Sequence, residues 1–185
     1  MIDVLGEEVM RKIFSSTWAL REEGINEVED IVRNASKRRN GEPDYFVNAV
    51  GVCRLTISDK MAGVAQRSMG FLASVCKLYP DVHLDGSQRS QFQTYSDPIV
   101  QELTHKIGDN LLKVRNSAEE AHAAVAAHPQ FGVKLCLNHL VSDAPPPTKA
   151  KPKGGKKPVL TSKQIAARYR ALYSMLLELS FTPDQ

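Results

Sequence analysis

With 185 residues, of which 42% are hydrophobic and 24% charged, the chain can bury one sizeable core without needing a second domain. It has no run of 18 apolar residues, which argues against a transmembrane helix, and its acidic start, Met1 to Glu8, does not have the form of a signal peptide. The net charge of +3 is local: Lys149, Lys151, Lys153, Lys156 and Lys157 share the acid-free stretch 144–158, and without them 19 basic residues face 21 acidic ones. A folded body so near neutrality argues against a duplex-binding domain, and nucleic acid is not the expected partner.

The apolar residues recur at helical spacing along most of the chain. Val4, Leu5, Val9 and Ile13 predict a first helix, and Leu20, Ile25, Val28, Val32 and Ala35 a second. Phe46, Ala49, Val50, Cys53 and Ile57 trace a third, and Val64, Ser68, Phe71, Leu72 and Val75 a fourth. A long connection, 79–96, then leads to Asp97-Pro98, which has the form of a helix start because Pro lacks the N–H that goes unpaired there. Ile99, Val100, Leu103 and Ile107 follow in the fifth helix, and Val114, Ala118, Ala121 and Val125 in the sixth. Val133, Leu137 and Leu140 make a seventh after His128-Pro129. Thr161 and Gln164 have the spacing of a capping box, and Ile165, Tyr169, Leu172, Leu176 and Leu179 predict an eighth helix. No segment shows strand alternation. The Pro/Lys/Gly-rich stretch 144–158 cannot pack a core and is expected to be a disordered insertion within a single domain, 1–185.

Eight helices joined by short turns predict four antiparallel pairs, and a repeat frame sharpens this. Asp109-Asn110-Leu111-Leu112-Lys113-Val114 has the form of a turn entering a second helix, with Asp as cap, Val as first core residue and small Ala118 four later. Asp59-Lys60-Met61-Ala62-Gly63-Val64 with Ser68 fits the same frame, as does Ser15-Ser16-Thr17-Trp18-Ala19-Leu20 with Gly24. Leu20, Val64 and Val114 are then equivalent, 44 and 50 residues apart, close to the spacing of about 40 to 47 in HEAT arrays. The expected fold is all-α, an α-solenoid of HEAT-type pairs. In such a stack each pair buries its face against a neighbour. The eighth helix lacks a polar outer face, so further repeats or another partner are expected to cover it.

Little in the chain suggests catalysis. Cys53, Cys76 and Cys136 lie far apart, are odd in number and have no C-x-x-C spacing, which argues against disulfides and zinc and for a reducing compartment. Each falls on an apolar stripe and is expected in the core. The histidines form no H-E-x-x-H motif, Gly154-Gly155-Lys156-Lys157 lacks the phosphate-loop frame, and Glu119-Glu120 fit a solvated helix face. No nucleophile–base set stands out, so neither an enzyme nor a cofactor is expected.

The turns carry the more specific signal. Trp18, the single tryptophan, sits in the first turn, where it either staples the helix start or stands exposed as a rigid anchor. Lys60 and Lys113 belong to the next turns, with Asn110 and Arg115 nearby. One lysine alone is usually a solvated charge, but a row of an aromatic and several cations along one edge suits a flat acidic protein partner.

Ser15-Ser16-Thr17-Trp18-Ala19-Leu20-Arg21-Glu22-Glu23, preceded by Gly6-Glu7-Glu8-Val9 and Ile13-Phe14, resembles the first turn of TOG domains, tubulin-binding HEAT arrays of microtubule regulators. The resemblance is most like a form carried by a centrosomal, ciliary-tip protein. It implies a module that binds tubulin or microtubules, with Trp18, Lys60 and Lys113 as contact residues and Thr17, Met61, Asn110 and Arg115 beside them. It also implies a cytoplasmic, cytoskeletal setting at the centrosome, centriole or ciliary tip, with other centrosomal or ciliary proteins as further partners and no membrane. Two features depart from the family. TOG domains usually have six repeats where about four are visible here, and the basic residue of their fifth turn has no counterpart, which leaves contact with one tubulin subunit as the expectation. The alternative is a HEAT scaffold that binds another protein through its concave face. A weaker third reading is nucleic-acid binding through the basic stretch.

Overall fold

The computed structural model describes residues 1–37, 43–142 and 160–180, without the side chains of 175 and 178–180. The expected disorder of 144–158 and the predicted core role of Leu179 lie outside the described residues. Within them the chain forms nine helices and no strand: α1 (Ile2–Leu5), α2 (Glu7–Ile13), α3 (Trp18–Ser36), α4 (Pro43–Thr56), α5 (Ala62–Leu78), α6 (Gly86–Lys106), α7 (Leu112–Ala127), α8 (Val133–Val141) and α9 (Ser162–Ser180). Four pairs follow: α2/α3, α4/α5, α6/α7 and α8/α9. The second helices stack side by side in the order α3, α5, α7, α9, and α4, α6 and α8 stack behind them. This is the expected solenoid of helical repeats.

The predicted first helix is broken into α1 and α2 at Gly6, whose φ of 90° suits glycine because it has no Cβ to clash. Gly24 meets a different demand. A Cβ there would lie 3.0 Å from Lys12 Cβ and 3.1 Å from the backbone nitrogen of Ile13, so the glycine lets α3 lie directly on α2. Gly24→Val is expected to lower the unfolding free energy by about 2 to 3 kcal/mol in denaturant titration, because neither neighbouring atom can move away freely.

One predicted boundary is wrong, and with it the long connection 79–96, most of which is helical from Gly86 onward. Asp97-Pro98 does not start a helix; Pro98 lies inside α6, which begins eleven residues before Asp97 at Gly86. The start belongs to Asp85, whose carboxylate accepts from the Gln88 N–H at 2.8 Å while the Gln88 side chain accepts from the Asp85 N–H at 3.1 Å. Buried Phe92 and Ser96 extend the stripe of Ile99 and Leu103 backwards, so packing holds one helix through the proline. Pro98 leaves the carbonyl of Thr94 without its intrahelical donor, and Thr94 is exposed, where water can take that place. Asp97 instead accepts from or pairs with His139 of α8 at 2.9 Å.

The face of α9 is also not the predicted one. Its capping box is present, with Thr161 and Gln164 bonded reciprocally at 2.9 and 3.3 Å. However, Ile165, Tyr169 and Leu176 are exposed and Leu172 only half-buried, while Ala167 and Ala171 are fully packed. Small residues let α9 approach α7 and α8 closely, and a Cβ on Gly108 would come within 2.7 Å of Gln164 Cγ. Close helix approach decides the orientation, and the larger apolar side chains are left outside.

The core is otherwise the predicted set, running unbroken from Leu5 through Phe46, Phe71, Leu103 and Val125 to Leu140. All three cysteines are buried thiols, and burial pushes Cys76 and Cys136 up to about 12. Leu20 departs from its predicted core role at 39% exposed, whereas Val64 and Val114 are buried. It lies on α3, the first of the row of second helices, which has no preceding second helix to cover that side. Polar groups also lock neighbouring pairs. Buried Glu29 of α3 accepts from Arg33, from Arg67 of α5 and from Ser74 at 2.8 Å. At the end of the stack away from the three turns, Phe46 stacks on Phe92 and His128, and His128 Nε2 meets the Tyr79 carbonyl at 2.9 Å.

Candidate binding edge

The three turns that enter α3, α5 and α7 are built alike. In each, a side-chain oxygen accepts the N–H of the residue two positions on: Ser15 from Thr17 at 3.1 Å, Asp59 from Met61 at 2.8 Å and Asp109 from Leu111 at 2.8 Å. Thr17, Met61 and Leu111 are then the N-caps, each with extended backbone and no capping bond from its own side chain. Asp59 and Asp109 therefore shape the turn rather than cap the helix, which corrects their predicted role. These bonds fix the alignment of the turns: Thr17 with Met61 and Leu111, and Trp18 with Ala62 and Leu112. Lys60 aligns with Ser16 and Asn110, and Lys113 with Ala19 and Gly63, so the two lysines lie three positions apart in the frame, one on either side of the N-cap and Trp18 positions.

Because the second helices stack side by side and start from these turns, the turns share one edge. Two direct links tie neighbouring elements together there. Arg21 of the first turn reaches Asp59 of the second, and Lys163 at the start of α9 donates to Asn110 Oδ1 of the third at 2.9 Å.

The edge is more apolar than its lysines suggest. Trp18 is 49% exposed, Met61 43%, Leu111 55% and Leu112 60%, and Phe14, just ahead of the first turn, is 67% exposed. Apolar side chains at the N-cap and first helical positions of successive turns make a row that water covers in the free molecule. Thr17 is exposed beside Trp18, and Lys60 and Lys113 are exposed with no ion-pair partner among the described residues. Arg115 is half-buried and directs Nη1 to the Asp109 carbonyl of its own turn at 3.2 Å, which makes it a brace. Asn110 is exposed but engaged by Lys163.

Phe14, Leu111 and Leu112 are absent from the predicted set. Leu111 and Leu112 could have been found by extending the repeat frame two positions back from Val114, which puts Leu112 opposite Trp18. Phe14 ends an apolar helical run and carries no signal of its own. Electrostatically the edge is asymmetric. Burial works to raise the Asp59 carboxyl, but the hydrogen bonds and charge of Arg21 and the Met61 N–H outweigh it and hold Asp59 below its ordinary value. The same pair raises Arg21 further, so the link is ionic throughout the neutral range. No cluster of metal-ligating side chains occurs among the described residues.

Comparison with known proteins follows the same lines. The structure superposes on the TOG domain of human Cep104 with a TM-score of 0.67 at 18% identity, covering 96% of this chain and 64% of that one. It superposes on a second CEP104 TOG domain structure with a TM-score of 0.65 at 18% identity, covering 99% and 66%. The chain thus spans about two thirds of the length of those structures, and the likeness establishes the solenoid fold. No curated protein matches the sequence. Residues 1–128, which contain all three turns, match the family described as the TOG domain of the centrosomal protein CEP104, and the chain belongs to that family.

Proposed function

We propose that this chain is a tubulin-binding module that meets its partner with the edge of three turns, acting at microtubule ends and, in a ciliated cell, at the centrosome or ciliary tip. The observation that carries the reading is the exposed apolar row: Trp18 and Leu112 at the first helical position and Met61 and Leu111 at the N-cap of successive turns, flanked by Lys60 and Lys113. Membership of the CEP104 TOG family supports the choice of partner. Trp18 and Met61 provide the desolvated anchor, Leu112 extends it, and the lysines steer an acidic surface into place. Thr17 and Asn110 sit on the rim, and Arg115 holds the third turn in shape. The module binds; it has no catalytic part in this reading.

The test is co-elution with tubulin at low salt, followed by the pair Trp18→Ala and Lys60→Ala. Loss of co-elution supports the edge. Unchanged affinity removes it, and crosslinks that map to another face would then favour a scaffold for a different protein.

A further inference from the structure

One guanidinium joins the first two turns of the edge. Arg21 Nε donates to Asp59 Oδ2 at 2.6 Å and Nη2 to Asp59 Oδ1 at 2.9 Å, a two-pronged pair. Its Nη1 donates to the carbonyls of Ser15 at 2.9 Å and Ser16 at 3.1 Å, the residues just before Thr17 and Trp18. Asp59 Oδ1 in turn accepts the Met61 N–H at 2.8 Å. The backbone that presents Trp18 and the backbone that presents Met61 therefore hang on one planar group. Both side chains are mostly withdrawn from water, 16% and 10% exposed, so the pair is screened far less than a surface ion pair.

This link is not repeated. The second turn has buried Ala65 at the position of Arg21. The third has Arg115 there, bonded to the Asp109 carbonyl of its own turn as Arg21 is to that of Ser15. The Asp109 carboxylate accepts the Leu111 N–H and, among the described residues, pairs with no cation. Asp59 and Asp109 thus shape their turns identically but differ in the cross-turn partner.

We propose that Arg21 is a positioning residue of the binding edge: acting through Asp59, it holds Trp18 and Met61 as one rigid binding unit. The proposal rests on the tubulin reading for its affinity measurement, and on no partner at all for its spectroscopic one. Arg21 does not touch the partner. It removes, before binding, the freedom of one turn relative to the other that would otherwise be lost on contact.

The test uses the full chain carrying Arg21→Gln, Arg21→Lys, Asp59→Asn or Asp109→Asn. The asparagines retain the side-chain oxygen that accepts the turn N–H, so each turn keeps its shape; Asp59→Asn removes the charge pair, and Asp109→Asn, where there is none among the described residues, is the control. Fluorescence anisotropy of Trp18, the sole tryptophan, is read without tubulin, and affinity is read with it. Arg21→Gln and Asp59→Asn are expected to lower the anisotropy and to weaken tubulin binding about tenfold each. Their combination should be no weaker than either, and Asp109→Asn should stay within twofold of the parent. Arg21→Lys should resemble Arg21→Gln, because a single ammonium cannot serve the carboxylate and both carbonyls. If Arg21→Gln weakens binding while Asp59→Asn does not, Arg21 is a direct contact and the positioning role is wrong. Equal losses in Asp109→Asn, or unchanged anisotropy in all variants, also overturn it. A parent chain that fails to bind tubulin removes the functional reading, and the anisotropy still decides the role of Arg21.

Discussion

Trp18→Ala is expected to weaken tubulin binding about 30-fold or more, a loss of at least about 2 kcal/mol, in a titration followed by sedimentation or anisotropy of labelled tubulin. Trp18 is half exposed, and its ring offers a large, stiff apolar face to a partner. Met61→Ala and Leu112→Ala should each cost less, about fivefold, because they bury less surface. Lys60→Ala and Lys113→Ala should differ in kind. Exposed charges act mainly on the rate of encounter, so each should lower the association rate severalfold at low salt and have little effect at high salt. A series in which the lysines dominate at every salt concentration, and Trp18 is silent, would remove the apolar row as the anchor.

Acidification is expected to unfold the chain through His122. This side chain is 1% exposed on α7, and its Nε2 has no hydrogen-bond partner. Burial, with a further contribution from the charge of His139, depresses its pKa from 6.5 to about 4. Protonation is thus easier in the unfolded chain than in the folded one. The neutral ring's contribution is fully present above about pH 6.5 and is lost as pH falls toward 4. By linkage the loss is about 2 kcal/mol between pH 7.5 and 5 and about 3 kcal/mol below pH 4. His128, also depressed by burial against the opposing pull of the Tyr79 carbonyl and Asp81, adds in the same direction. Urea titrations across this range should show the slope, and His122→Leu should flatten it. If His122→Leu has the same pH dependence as the parent, the buried imidazole is not the acid-sensitive group.

The helices with long, uniform apolar stripes were legible from residues alone. The stripe residues Phe46, Ala49, Val50, Cys53 and Ile57, then Val64, Ser68, Phe71, Leu72 and Val75, and then Val114, Ala118, Ala121 and Val125 are all buried as the 3.6-residue period requires. The Trp18 turn was legible too, because Gly24, Ser68 and Ala118 mark the close approach that repeats after each turn. What failed did so where two local signals competed. Asp97-Pro98 looks like a start, but a complete capping box at Asp85 and the packing of Phe92 outweigh it. In α9 the large residues trace one stripe and the alanines another, and only the surface of α7 shows that the alanines face inward. The apolar nature of the edge was half visible: Trp18 and Met61 were named, but Leu111 and Leu112, exposed at the aligned positions of the third turn, were not.

The sequence by itself determined the all-helical character, the pairing into repeats and the family, because periodicity and turn composition are local properties that survive without a neighbour. Tertiary structure decided which residues of each turn face water, which side of α9 is packed, and that Arg21 spans two turns to Asp59. Those outcomes depend on distances between segments about 40 residues apart in the chain, which the HEAT spacing implies but does not specify.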